Sequence, residues 1–221
     1  MAIANGYFRT PPVVRNLLII NVLVFLAEVI LPTSASNTML HYGALNFWKG
    51  GDFYAWQLVT YMFLHGGFSH LFFNMFALWM FGRALEYDLG SKKFLIYYLV
   101  CGIGAGLIQL GVNWAEYSVA LNGGDLVLAG RLSRASTIGA SGAVYGILLG
   151  MGLLHPNDRV MLIFPPIPFK MKWFVIIYGA IELFAGISGR MDSVAHFAHL
   201  GGMLWGFLLL WYWKKKGKIY Y

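Results

Sequence analysis

The tetrad Gly139-Ala140-Ser141-Gly142 sets a serine among glycines at the head of an apolar run that lasts to Leu154. A serine hydroxyl is a weak nucleophile until a neighbouring base takes its proton, and histidine suits that task near neutral pH. His199 is a candidate base, within the apolar stretch from Ala195 to Trp213. An ionisable side chain inside such a stretch is costly and marks function by default. If the two meet, the chemistry is acyl transfer: the serine attacks a carbonyl carbon and the imidazole hands the proton to the leaving amine. The oxyanion that develops needs donors, and His70 and Asn74, four residues apart on one helix face, can join the Ser141 N–H in supplying them.

Each feature also has a plainer explanation in helix packing. Gly142, Gly146 and Gly150 recur every four residues, the small-residue face along which helices approach closely, and spacing alone favours that reading. His70 and Asn74, taken alone, suit interhelical hydrogen bonding. The 195–213 stretch shifts the balance, because Gly202 and Gly206 form a matching pair and His199 stands three residues before Gly202. Two glycine faces in contact would bring His199 towards Ser141. Tyr145, one turn after Ser141, can stack on that imidazole or serve as an ordinary packing aromatic.

No Asp or Glu lies one turn from His199, and Asp192, the nearest acid, is seven residues earlier in a connecting loop. A Ser-His dyad is expected rather than a triad. Glu28 and Glu182, acids within apolar stretches, could supply a third member, but structural hydrogen bonding is the favoured role for each. His65 reads as shaping the loop before His70, while His41, His155 and His196 have no comparable case. Placing His65, His70, His196 and His199 around a metal is the alternative use of these rings. No carboxylate or cysteine joins them at a recognisable ligand spacing, so neither metal nor cofactor is expected.

These residues need helices in lipid to position them. The chain of 221 residues is 59% hydrophobic and only 11% charged, too little polar surface to cover a water-soluble globule. Crossing about 30 Å of hydrocarbon takes roughly 20 apolar residues. Six stretches fit or nearly fit, near Asn16 to Leu31, Phe68 to Tyr87, Lys93 to Val112, Ser141 to Leu154, Lys172 to Ile187 and Ala195 to Trp213. The fourth is short, about 21 Å at helical rise, so Ser141 is expected below the outer membrane surface, where irregular backbone must be buried or line a water-filled cavity.

Twelve of the sixteen Lys and Arg residues then fall on the side of both termini, four of them after Trp213. Lys49, Arg131, Arg134 and Arg190 alone fall on the other, which places both termini in the cytoplasm. The net charge of +7 is thus explained by topology, and no nucleic-acid stripe is present. A cleaved leader, with Arg15 before the first run and Ser34-Ala35-Ser36 after it, is the lesser reading. Cys101 has no partner for a disulfide. With no linker, low-complexity tract or repeat, residues 1–221 read as one membrane domain.

The outward connections run from about Pro32 to Gly67, Asn113 to Ala140 and Ser188 to Val194. The first carries Tyr42, Phe47, Trp48, Phe53, Tyr54 and Trp56, suited equally to the membrane interface and to mutual packing. Inward, Asp88 to Lys92 makes a tight turn, and His155 to Met171 carries Pro156, Pro165, Pro166 and Pro168, which cannot continue a helix.

Taken together, the chain resembles the rhomboid intramembrane protease family. The resemblance is carried by the His65-Gly66-Gly67-Phe68-Ser69-His70-Leu71-Phe72-Phe73-Asn74-Met75 stretch, by Gly139-Ala140-Ser141-Gly142, and by Ala198-His199-Leu200-Gly201-Gly202 followed by Gly206. It implies an all-α, polytopic, six-helix bundle, probing other transmembrane proteins as substrates from within the bilayer. It implies a Ser141-His199 catalytic dyad, an oxyanion hole of His70, Asn74 and the Ser141 N–H, and supporting places for Tyr145, Gly139 and Gly142. Glu86 looks like a structural acid of the family, and the fifth span like a lateral gate. One departure is Trp56-Gln57, where family members often carry Trp-Arg. The rivals are a non-catalytic rhomboid-like protein that binds transmembrane segments, against which the four polar residues together argue, and a transporter. No pair of Gly/Pro-interrupted spans recurs in the two halves to support the latter.

Overall fold

A computed structural model describes residues 9–161, 167–188 and 195–219. Pro165, Pro166, Arg190, Asp192 and most of the last outward connection lie outside the described residues. In chain order come α1 (Pro12–Ile30), α2 (Thr33–Gly43), β1 (Leu45–Asn46) and α3 (Gln57–Thr60). Next, α4 (Phe68–Ala77), a π-helical stretch (Leu78–Gly82) and α5 (Arg83–Leu89) run on as one rod. Then follow α6 (Ser91–Asn122), α7 (Leu126–Leu132), β2 (Ser136–Thr137), α8 (Ser141–Leu154), β3 (Arg159–Met161), β4 (Pro168–Lys170), α9 (Met171–Ser188) and α10 (His196–Lys215).

The fold is a helical membrane bundle. Among the described residues α1, α6 and α9 are long and apolar enough to cross a membrane, and α8 is a shorter apolar helix. The 68–89 rod and α10 pack against these helices, and these two carry His70, Asn74, His196 and His199. In the most apolar windows of α1 and α9 only 17% and 22% of residues are buried, so apolar faces look outward, as lipid rather than water requires. The centre is α6, α8 and α10, packed around Tyr97, Tyr98, Ile147 and Leu210, all fully buried.

Helix ends have identifiable causes. α1 opens on Pro11-Pro12 with no capping side chain of its own; instead the buried Glu86 accepts from the N–H groups of Val13 at 3.0 Å and Val14 at 2.7 Å. Ser91 Oγ donates to the same carboxylate, fastening α1 to the turn between α5 and α6. At the inner end of α8, His155 Nε2 lies 2.6 Å from Asp88 Oδ2 of α5.

Three connections differ from their reading as loops. α6 continues ten residues beyond Val112 to Asn122, about 48 Å in all, because Gln109 and Asn113 pair one turn apart and no glycine or proline intervenes before Gly123. The first outward segment contains α2 and α3. Within the inward 155–171 connection β3 pairs antiparallel with β4, with Pro168 in a two-stranded sheet where a missing donor is tolerated.

The aromatic rings of the first segment do both things open to them. Tyr54 stacks on Trp56 at 4.5 Å and Phe47 packs on Trp48 at 4.6 Å, yet Tyr42, Trp48 and Trp56 stay about half exposed. Gln57 is what holds the segment together. Fully buried, it accepts at Oε1 from Asn46 N and Tyr54 N, both at 3.2 Å, and donates from Nε2 to the Asp52 carbonyl at 3.0 Å. A neutral amide with both donor and acceptor ends meets backbone groups of both kinds, which a guanidinium, donor only, cannot do. Gln57→Ala is therefore expected to lower stability in detergent by about 3 kcal/mol, at about 1–3 kcal/mol per stranded group. Reversible unfolding would check this; a loss below about 0.5 kcal/mol would mean water replaces the amide.

Candidate active site

α8 starts at Ser141 because Gly139 turns the chain with φ +123°, a conformation that L side chains rarely adopt. The Gly139 N–H donates to Tyr61 O at 2.8 Å, and a Cβ there would fall 2.7 Å from His70 Cε1. Just before it, β2 is pinned antiparallel to β1 through Leu45↔Thr137 and Asn46↔Ser136. The first outward segment thus holds the approach to Ser141. No side chain caps α8 at Ala140, which leaves the N–H groups of its first turn to other partners.

α10 crosses α8 at glycine. A Cβ on Gly202 would lie 1.8 Å from Gly142 O, so here backbone meets backbone. The two glycine rows touch only around this crossing: Gly146 faces Cys101 and the Gly202 carbonyl, Gly150 faces Leu85 and Tyr97, and Gly206 lies against Tyr97 of α6. Beside the crossing, His199 Nε2 stands 2.8 Å from Ser141 Oγ. The Tyr145 ring lies parallel to the imidazole, 8° apart in plane and 4.2 Å between centroids.

From the second rod, His70 Nδ1 accepts from the Gly66 N–H at 3.2 Å, so the ring proton belongs on Nε2, the atom beside Gly139. Asn74 Nδ2 donates to His70 O at 2.9 Å and keeps a second amide hydrogen. His70, Asn74, Ser141, Tyr145 and His199 line one cavity of about 1680 Å³, bounded by Phe73, Met80 and Phe81 on the second rod and by Phe174 and Tyr178 on α9. Its walls carry many aromatic and apolar side chains among these polar groups.

His65 lies outside this set. It is buried, its Nδ1 is 3.3 Å from Phe63 O, and its N–H donates to Glu28 at 3.4 Å. Burial, with a smaller push from His70, lowers its pKa to about 4, so the ring is neutral.

Two groups outside the expected dyad stand against His199: Glu182, favoured in the sequence as a structural acid over a third member, and His196, for which the sequence offers no role. Glu182 Oε2 is 2.6 Å from His196 Nδ1 and 3.0 Å from His199 Nδ1, and its other oxygen accepts from the Tyr145 hydroxyl. The His199 contact has ion-pair length although the ring is off the line of a hydrogen bond. No motif could reveal this, because the acid comes from α9 and the imidazoles from α10. Donor atoms of Glu182, His196 and His199 lie within 4.8 Å of one another. Tetrahedral ligands at about 2.1 Å from zinc stand roughly 3.4 Å apart, so the 2.6 and 3.0 Å separations are too short for ligands of one ion and would have to open to admit it.

A family model described as a rhomboid domain matches residues 52–216. Rhomboid protein 1, mitochondrial, of Saccharomyces cerevisiae is 33% identical over 71% of this chain and 41% of its own length. Rhomboid protease AarA of Providencia stuartii is 28% identical over 88% of this chain and 69% of its own. Rhomboid protease GluP of Bacillus subtilis is 27% identical over 83% and 31%. The chain thus spans less than half the length of two of these three relatives.

Gly202→Ala tests the crossing. The added methyl meets a backbone carbonyl that cannot swing away, so α8 and α10 must part. The expected result is a loss of about 1–3 kcal/mol and a His199–Ser141 separation beyond hydrogen-bond reach in a crystal structure. An unchanged melting temperature and separation would show that the helices have slack.

Proposed function

The chain belongs to the rhomboid family, and on that premise we propose that it is an intramembrane serine endopeptidase that cuts transmembrane proteins in or near their spans. The observation that carries this reading is the 2.8 Å contact between His199 Nε2 and Ser141 Oγ in the lining of a large cavity. In the proposed reaction His199 Nε2 takes the hydroxyl proton as Ser141 Oγ bonds to the scissile carbonyl carbon. The negative charge that develops on the carbonyl oxygen is met by the Ser141 N–H at the head of α8, by His70 Nε2–H and by the Asn74 amide. His199 then gives its proton to the leaving amine. Water, activated by the same ring, releases the acyl group and restores Ser141.

Supporting parts follow from contacts already given. Tyr145 holds the imidazole plane, Gly139 leaves space for His70, and Gly142 leaves space for Ala105 of α6. A substrate helix hides its carbonyls in internal hydrogen bonds, so a scissile segment must unwind, and glycine or proline should mark it. Entry is proposed between the second rod and α9, where the cavity wall is aromatic and α9 lies at the bundle edge. The charge asymmetry supports a multi-pass protein of the cell membrane with both termini cytoplasmic.

The test is cleavage of a panel of labelled transmembrane substrates in liposomes, wild type against Ser141→Ala. Wild type should form product and be labelled by a serine-reactive phosphonate, and Ser141→Ala should lose about 10³-fold or more of the rate. Equal product from both would rule out the mechanism. Neither product nor labelling would point to a rhomboid-like protein that binds transmembrane segments without cutting them.

A further inference from the structure

We infer that Glu182, contributed by α9, is a positioning residue that makes the Ser141-His199 pair a Ser-His-Glu array; the inference rests on the serine protease reading above. Glu182 is buried although α9 is an edge helix whose Ile181, Leu183, Phe184 and Ile187 are all about half exposed or more. An ionised carboxylate in such a place needs partners. Those it has all belong to the site. Oε1 takes the hydroxyl of Tyr145, the ring stacked on His199, and Oε2 faces Nδ1 of both His196 and His199.

The chemistry follows from donor and acceptor counts. To accept the Ser141 proton, His199 Nε2 must present its lone pair, so the ring hydrogen must sit on Nδ1. A carboxylate can only accept, and Glu182 Oε2 therefore favours that tautomer. When the Ser141 Oγ–H proton moves to Nε2, the Nδ1 hydrogen stays in place and Glu182 stays ionised beside the imidazolium it stabilises. His196 supplies a second N–H to the same oxygen and holds it in position. Other titratable groups around His199 are Tyr145 on α8 and His70 on α4, while Glu116 of α6 lines the same cavity. Glu182 alone among these carries a charge directly against Nδ1.

A purely structural Glu182 would fasten α9 to α8 and α10 and leave the base untouched. Glu182→Gln separates the two cases, because the amide keeps the length and the Tyr145 contact yet can turn a donor towards Nδ1, favouring the tautomer with hydrogen on Nε2. In liposome cleavage, Glu182→Gln should lower kcat by about 10²–10⁴-fold with KM changed less than about threefold. Glu182→Asp should recover at least part of kcat.

Ring ¹⁵N NMR of His199 reads the same contact without turnover and serves the Asp variant should the Gln variant not fold. Hydrogen on Nδ1 is expected in wild type, with the tautomer ratio altered when Glu182 is replaced. A tautomer and kcat unmoved by replacement would overturn the inference. A wild type with the Glu182-dependent tautomer that neither cleaves nor labels would sustain it while overturning the protease reading.

Discussion

Gly202 has room for a hydrogen and for nothing larger, because the Gly142 carbonyl stands where its side chain would begin. In lipid there is no hydrophobic force to drive helices together, and close backbone packing takes its place. This crossing fixes the height and rotation of α8 against α10. Ser141 is the residue before Gly142, and His199 is one turn before Gly202 on the same face. Their 2.8 Å separation is a consequence of the crossing. Had Gly202 carried a side chain, α8 and α10 would stand further apart and serine and imidazole would not touch, whereas one on Gly142 would strike Ala105 of α6.

Around that contact the bundle spends its polar groups on holding irregular backbone. Tyr61 gives its hydroxyl to Gly102 O and its carbonyl to Gly139, so one buried tyrosine joins α6 to the turn that aims Ser141. Tyr97 donates to Gly146 O inside α8. Gln57 and Glu86 do comparable work at the two ends of the bundle, collecting backbone N–H groups with no other acceptor nearby. In a medium without water each such group would otherwise cost several kcal/mol. This is why a short α8 with an open first turn can persist within the bundle.

α9 stands apart from this frame. Its outer face is apolar and exposed, and among the described residues its polar attachment to the site runs through Glu182. The helix best placed to admit a substrate from the side is thus also the one that carries an acid to the imidazole. Proposed entry and proposed base activation share an element, so movement of α9 would alter both.

Much of this molecule was legible in its sequence. Apolar lengths marked the rods, glycine at four-residue intervals marked the faces that approach closely, and the shortness of the run from Ser141 to Leu154 set the serine at the head of a short helix. These are local properties, carried by composition and period. What escaped was decided between segments. Gln57 looked like a departure in a loop until folding gathered backbone groups of both kinds around it. α6 outran its apolar stretch because nothing broke the helix before Gly123. Glu182 read as a structural acid, since no spacing along one helix can reveal a partner on another. Residue type and period determined which helices form and which residues face inward; only tertiary packing decided that α9 would set a carboxylate against His199, because that distance belongs to three helices at once.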